Sequence, residues 1–244
     1  MSTRAVAISL LLASSLALGA CGGSSSTSAS PNATSSGAAA PATSSTDEGP
    51  ATSSTAEGPV TSTTTSAGGS IGPEDVPIEQ GPRLAPASST TPGATVDGIQ
   101  CAPIEQLAYH IHAHLQVYVN GQPRQLPPAI GLVGPVSQKT PEGLLYGAQQ
   151  CYYWLHTHAA DGIIHIESPS PRIYTLGNFF NEWRQPLSSN QVGPATGKVT
   201  AFVNGKPWTK DPRSIPLSKH AVVQLDVGEP AVAPQTVSFG TTGL

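Results

Sequence analysis

The chain has 244 residues, a net charge of −4 at pH 7 and only 11% charged residues. This modest acidic balance, without a basic stripe that could bind phosphates, argues against nucleic acid as a partner. All the aromatic residues lie at Tyr109 or later. The sequence therefore predicts a long N-terminal part without a core of its own, followed by a folded part.

The N-terminus predicts an export signal. Arg4 supplies a positive charge, and residues 5–18 are apolar or small with no acidic residue. This pattern is typical of a secretory signal peptide, and the stretch is shorter than the roughly 20 apolar residues that span a bilayer. No later segment of the sequence is long and apolar enough to span one either.

The next residues, Leu18-Gly19-Ala20-Cys21, resemble the lipobox of bacterial lipoproteins. In that family a peptidase cuts before the cysteine, which implies a signal peptide over residues 1–20 and acyl chains on Cys21. Two or more acyl chains anchor a protein stably, because each buried methylene contributes about 0.8 kcal/mol. The resemblance implies a location on the extracytoplasmic face of the cell membrane, facing a periplasm or the cell surface. The alternative is an ordinary signal peptide in which Cys21 plays no part.

A change in composition after Cys21 predicts a tether. Ser, Thr, Ala, Gly and Pro dominate up to about residue 92, and residues 22–73 contain three charged residues and no aromatic. Such a segment cannot bury enough apolar surface to offset the entropy lost on ordering. We therefore expect a disordered tether over residues 21–93, including lipidated Cys21, and one globular domain over residues 94–244.

Several segments of that domain show strand patterns. Apolar and polar residues alternate over residues 110–119, which predicts a strand with one apolar and one polar face. Asn120-Gly121 then predicts a tight hairpin turn. A similar phrase ending in Asn204-Gly205 indicates either an internal duplication or simply a second hairpin, and residues 221–227 predict another strand.

One helix is predicted between these strands. Leu176, Phe179, Phe180 and Trp183 are spaced to lie on one helical face, and Thr175 can cap the N-terminus. The expected fold is mostly β in the α+β class, a hairpin-rich antiparallel sheet with one packed helix. Both a β-grasp-like sheet and a β-sandwich fit this pattern.

Six of the seven histidines fall in two short segments. The first is His110-Ile111-His112-Ala113-His114, whose alternation puts three imidazoles on one strand face. The second contains His156, His158, His165 and Glu167 around Asp161-Gly162, a hairpin-turn signal. A two-residue turn pairs His158 with His165, whereas a four-residue turn pairs His156 with His165. In either register the side chains converge on one face.

This pattern predicts a transition-metal site. Imidazoles two residues apart on a strand, with another from a neighbouring strand, can place three nitrogens about 2.0–2.1 Å from one ion. The candidate ligands, which suit copper or zinc, are His110, His112, His114, His156, His158 and His165. Glu167 is expected beside the ligands, or as the general base if the protein is an enzyme. The alternative is a polar, pH-responsive face that binds no metal.

The cysteines left after lipidation form a pair. In an oxidising compartment we expect Cys101 and Cys151 to form a disulfide, which would draw the two histidine segments together. The alternative is that their thiolates bind the metal, in which case a soft Cu(I) site is possible.

The phrases HAHLQVYVNG, YWLHTHAADGIIHIESP and YTLGNFF resemble an uncharacterised family of exported bacterial proteins. The resemblance covers most of residues 108–227 and implies no established activity. Members of that family carry an acidic residue directly after the HTH phrase, where this chain has Ala159. A carboxylate ligand or base at that point is therefore absent.

Three functions fit these observations. The first is a lipid-anchored protein that captures, buffers or delivers copper or zinc, with a metal donor or acceptor protein as a possible partner. The second is a metalloenzyme in which three histidines hold an ion with an activated water. The third is a surface interaction module that binds no metal. The sequence contains no HExxH motif and no convincing set of residues for nucleophilic catalysis.

Overall fold

A computed structural model of the chain describes residues 69–87, 93–240 and 243–244. The predicted signal peptide, the lipobox with Cys21 and most of the predicted tether lie outside the described residues. Among the residues that are described, no helix combines the length and the hydropathy needed to cross a bilayer.

The described part of the chain forms 13 strands, one α-helix and one short 3-10 helix. The strands are β1 (Cys101–Ala102), β2 (Tyr109–Val119), β3 (Gln122–Arg124), β4 (Leu132–Thr140), β5 (Gly143–Tyr153), β6 (Leu155–His156), β7 (Ile163–Ser168), β8 (Leu187–Ser188), β9 (Gln191–Val192), β10 (Ala195–Thr196), β11 (Val199–Val203), β12 (Lys206–Trp208) and β13 (Ala221–Val227). The α-helix, α1, is Leu176–Trp183, and the 3-10 helix is Pro212–Ser214.

The main sheet has the strand order β12-β11-β13-β2-β7-β6, and β3 pairs with the C-terminal end of β2. All neighbours in this sheet are antiparallel except β13 and β2, which run parallel. A smaller antiparallel sheet has the order β1-β5-β4, and the short strands β8 to β10 form another. The mostly β fold with a single helix, predicted from the sequence, is confirmed.

Both predicted Asn-Gly hairpins are present. Asn120 and Gly121 have φ values of 51° and 73°, and Asn204 and Gly205 have φ values of 50° and 75°. Two consecutive positive φ angles are what a tight hairpin turn requires. The first hairpin joins β2 to β3 and the second joins β11 to β12, so the repeated phrases lie on either side of β13.

The core forms against the apolar face of β2. Residues on this face are buried together with the apolar side of α1: Ile111, Ala113, Leu115, Val117, Leu176, Phe179, Phe180 and Trp183. The side chain of Thr175 accepts a hydrogen bond from the Asn178 backbone, and the Asn178 side chain accepts one from the Thr175 backbone. This reciprocal cap starts the helix at the predicted residue. Burial of each large apolar side chain contributes about 1.5–3 kcal/mol.

The packed region begins earlier than residue 94, the boundary expected from the sequence. Within residues 69–87, Val76, Leu84 and Ala85 are buried. The Glu79 backbone N–H donates to the Ala160 carbonyl, and Leu84 is hydrogen-bonded to the backbone of residue 125. Single apolar residues and backbone hydrogen bonds hold this segment on the domain, without a periodic pattern that the sequence could reveal.

The expected disulfide between Cys101 and Cys151 is present, with a Cα–Cα distance of 5.3 Å. It joins β1 to β5, shortly before the two histidine segments begin. Because both sulfurs are used in this bond, neither cysteine offers a thiolate to a metal. The alternative of cysteine ligands, and with it the Cu(I) site based on them, is therefore wrong.

Candidate metal centre

The histidines converge because of the register of three neighbouring strands. His112 on β2 lies directly opposite His165 on β7, and His165 lies opposite His156 on β6. One step along, His110 lies opposite Glu167. Directly opposed residues share a sheet face, so these side chains form a row across the polar side of the sheet. The observed pairing of His156 with His165 is the register of the longer turn considered from the sequence.

Four of these side chains form the first ligand group, defined as His110, His112, His165 and Glu167, with one ligand atom from each within 4.8 Å of the others. The His110 Nε2 atom is 2.9 Å from His112 Nε2, which is 3.1 Å from His165 Nδ1. Glu167 Oε1 lies 3.1 Å from His110 Nε2 and 3.3 Å from His165 Nδ1. His112, His165 and Glu167 are buried, whereas the His110 side chain is 37% exposed.

A second ligand group consists of His156, His158, His165 and Glu167, again with ligand atoms within 4.8 Å of one another. His156 ends β6, and His158 lies on the same side of the chain because Thr157 between them points the other way. Thr157 is fixed by hydrogen bonds to the backbone of residues 127 and 130. The His156 and His158 Nε2 atoms are 3.0 Å apart.

Backbone carbonyls fix how His156 and His158 present their nitrogens. Nδ1–H of His156 donates to the Tyr153 carbonyl at 2.8 Å, and Nδ1–H of His158 donates to the Tyr146 carbonyl. A carbonyl can only accept, so in the neutral form both imidazoles carry the proton on Nδ1 and a lone pair on Nε2. The two lone pairs then face each other at 3.0 Å, an arrangement that a cation between or beside them would stabilise.

The protonation states suit a metal at most of these positions. Burial, followed by the charges of neighbouring histidines, lowers the pKa of His112 to about 3 and that of His156 well below its usual value. Burial and the charge of His165 likewise lower the pKa of His158. These imidazoles are therefore neutral at pH 7, the form that binds a transition metal.

His165 differs because two carboxylates contact it. Burial alone would lower its pKa, but hydrogen bonds to Glu167 and Glu74 outweigh burial and raise the pKa to about 9. The Glu74 Oε1 atom is 2.6 Å from His165 Nε2. Burial would raise the pKa of Glu74, but its contact with His165 lowers it overall. A carboxylate bonded to the outer nitrogen of a histidine ligand is a recurring feature of metal sites.

The structure does not bring His114 into either group. It lies opposite Ile163, one step beyond the row of histidines, and its Nε2–H donates to the Asp161 carbonyl at 2.7 Å. His114 therefore supports the turn rather than the site. Asp161 and Gly162 form that turn, with Gly162 at φ 82° and the Asp161 side chain accepting from the Ile163 backbone.

Two acidic residues that lie at the site were not predicted from the sequence. Glu74 falls in the segment assigned to the tether, and its residue type was the only possible clue. Glu105, whose Oε1 atom is 3.5 Å from His158 Nε2, lies in the loop between β1 and β2. Glu105 follows Cys101 by four residues, and this spacing matches no known motif that would predict a role at the site.

Comparison with models of known protein families, with curated protein sequences and with solved structures finds no match for this chain. The chemistry of the site is therefore taken from its own residues. The two overlapping groups contain five imidazoles and one buried carboxylate in all, and the four ligand atoms of each group lie close enough together to hold a metal ion.

Proposed function

We propose that this protein is a membrane-anchored, extracytoplasmic metal-binding lipoprotein whose histidine cluster captures, buffers or delivers copper or zinc. The anchor would be the acyl chains on Cys21 implied by the lipobox. The observation that supports metal binding most strongly is the pair of Nε2 atoms of His156 and His158, 3.0 Å apart with both Nδ1 atoms bonded to carbonyls. Without a cation, two buried lone pairs would repel each other.

The donor set favours zinc or Cu(II) over magnesium or calcium. All candidate ligand atoms are imidazole nitrogens or carboxylate oxygens, because the cysteines are bonded to each other. Neutral imidazole suits copper and zinc, whereas magnesium and calcium prefer oxygen ligands alone.

Two routes lead from the surface to the cluster, which supports a role in capture or delivery. The His110 side chain is partly exposed at one end of the row of histidines. At the other end, His158 and Glu105 line a cleft of about 280 Å³ together with Tyr146 and Tyr152. A donor or acceptor protein could offer its own ligands to an ion at either end.

That cleft also favours a second candidate function, a metalloenzyme with a metal-activated water. A small substrate in the cleft would contact His158 and Glu105. Glu167 is poorly placed as a general base for such a substrate, because its side chain is buried and does not line the cleft. Glu105, at the mouth of the cleft, is better placed for proton transfer.

Competition titration of the full-length chain tests the metal-binding proposal. The protein is stripped with a chelator, and then Cu²⁺ or Zn²⁺ is titrated in the presence of a chromophoric chelator. We expect H112Q to lower the affinity by at least about 100-fold, because loss of an outer-shell partner alone costs about 10–100-fold and His112 is a proposed ligand. H114Q is the matched control, because His114 lies on the same strand and face but outside both ligand groups. Failure of the wild-type chain to compete for either ion would contradict the proposal and favour a metal-free interaction module.

A further inference from the structure

We propose that the cluster holds two ions rather than one, bridged by the carboxylate of Glu167, and that the second ion is the one that meets external ligands. This inference rests on the proposed metal-binding function. The ligand atoms of each ligand group lie within 4.8 Å of one another, and the two groups share only His165 and Glu167. A single ion would leave part of this ligand set unused.

The first ligand group by itself matches one four-coordinate ion. With bonds of about 2.0–2.1 Å, neighbouring ligand atoms of a tetrahedral site lie about 3.3 Å apart. The four separations between successive ligand atoms around the ring His110, His112, His165 and Glu167 are 2.9, 3.1, 3.3 and 3.1 Å. His165 uses Nδ1 in this group, and its Nε2 is bonded to Glu74, so it has no second nitrogen for another ion.

Glu167 offers one carboxylate oxygen to each of the two proposed ions. Its Oε1 atom is the one in contact with His110 and His165, whereas Oε2 lies 3.8 Å from His156 Nε2. Among the described residues Oε2 is buried and has no hydrogen-bond partner, which is costly for a carboxylate oxygen. A carboxylate can bind two ions through its two oxygens, and an ion beside His156 would satisfy the buried atom.

The second ion would be held by His156, His158 and Glu167 Oε2, with Glu105 beside it. His156 Nε2 lies 3.0 Å from His158 Nε2 and 3.8 Å from Glu167 Oε2, and Glu105 Oε1 is 3.5 Å from His158 Nε2. Because His158 and Glu105 line the cleft of about 280 Å³, an ion here is reached from the cleft. The ion takes small oxygen- or nitrogen-donor ligands that enter there.

Charge balance is consistent with two divalent ions. Glu74, Glu105 and Glu167 lie within 3.5 Å of a histidine nitrogen of the cluster. Their three negative charges offset most of the four positive charges, which is needed because isolated charges are costly to bury.

The stoichiometry of Zn²⁺ binding tests this proposal on the full-length chain purified in detergent. Metal-free protein is equilibrated with Zn²⁺, and the bound ions are counted after dialysis. We expect two ions in the wild type, one in H110Q/H112Q and one in H156Q/H158Q. E142Q, which changes an exposed carboxylate of the β4–β5 turn, should still bind two. E167Q should weaken binding of the second ion by about 10-fold or more.

The number of bound ions distinguishes failure of the two-ion proposal from failure of the metal-binding function. One ion in the wild type would overturn the bridged pair while leaving the metal-binding function intact, and no ion would contradict both. If the double variants fail to fold, as judged by circular dichroism, Co²⁺ loading of the wild type decides. Two equivalents of Co²⁺ with magnetic coupling support a shared bridge, and uncoupled ions or one equivalent overturn it.

Discussion

Glu74 Oε1 lies 2.6 Å from His165 Nε2, although the two residues are 91 positions apart in the chain. The contact carries the segment at residues 69–87 onto the polar face of the main sheet, beside the row of histidines. It also fixes which nitrogen of His165 faces the other ligands, because Nε2–H donates to Glu74 while Nδ1 lies beside His112 and Glu167, where an ion would displace its proton. The segment before residue 94 therefore contributes a side chain to the candidate metal centre.

This contact predicts that Glu74 raises metal affinity without binding the ion. In E74A, His165 loses the partner that orients its ring, and we expect Zn²⁺ affinity to fall by about 10–100-fold. Competition titration against a chelator measures the change. E142Q provides a carboxylate control away from the site. Equal affinities for E74A and the wild type would contradict the role given to Glu74.

The metal-free protein should lose stability as the pH falls below about 6.5. Burial lowers the pKa of His114 to about 4, and its hydrogen bond to the Asp161 carbonyl offsets only part of this effect. Below pH 6.5 the unfolded chain then binds a proton that the folded chain does not. The free energy of unfolding decreases by about 1.4 kcal/mol per pH unit for this group, down to about pH 4.

H114Q isolates that contribution, because glutamine can keep a donor near the Asp161 carbonyl but does not titrate. Between pH 7 and pH 5 the decrease in unfolding free energy should be smaller in H114Q by about 2 kcal/mol. Urea denaturation in the presence of a chelator measures both proteins at both pH values. Parallel pH profiles would show that His114 is not the buried, neutral group described here.

The disulfide should contribute strongly to stability. Cys101 and Cys151 are separated by 50 residues, so their bond removes about 4 kcal/mol of loop entropy from the unfolded chain on the chain-entropy account. We expect C101S/C151S to unfold at a lower denaturant concentration, with a loss of about 2–5 kcal/mol. Reduced wild-type protein serves as the control and should match the variant. No change in the midpoint would contradict this expectation.

Cys21 should be the membrane anchor. In C21S the chain cannot be acylated at the lipobox, and we expect it to move from the membrane fraction to the soluble fraction. Labelling with a palmitate analogue should also be lost. C101S/C151S, which keeps Cys21, should remain labelled and membrane-bound. Continued labelling of C21S would place the lipid on another residue or exclude the lipobox assignment.

The sequence predicted the local elements of this site well. Alternation in β2 revealed the polar face that carries His110 and His112, and the turn signal at Asp161-Gly162 revealed the hairpin that brings β6 against β7. The helix cap at Thr175 and the two Asn-Gly turns were also predicted. All these features depend on residues that are near one another in the chain.

The features that the sequence did not predict depend on tertiary contacts. His114 shares the face of His112, but a step of two residues along a strand is about 6.6 Å, and there its neighbour is Ile163 rather than a ligand. Hairpin signals specify antiparallel neighbours, so the parallel pairing of β13 with β2 was not predicted. Glu74 lies in a segment whose composition resembles the tether, and only its packing reveals its role.

Elemental analysis of the full-length chain tests most directly whether the histidine cluster binds a transition metal. The protein is isolated from its own membranes without a chelator or a polyhistidine tag, beside H112Q/H156Q and H114Q. The account predicts copper or zinc in the wild type and in H114Q, and its loss from H112Q/H156Q. Wild-type protein that contains no transition metal, and retains none after loading with Cu²⁺ or Zn²⁺, would contradict it.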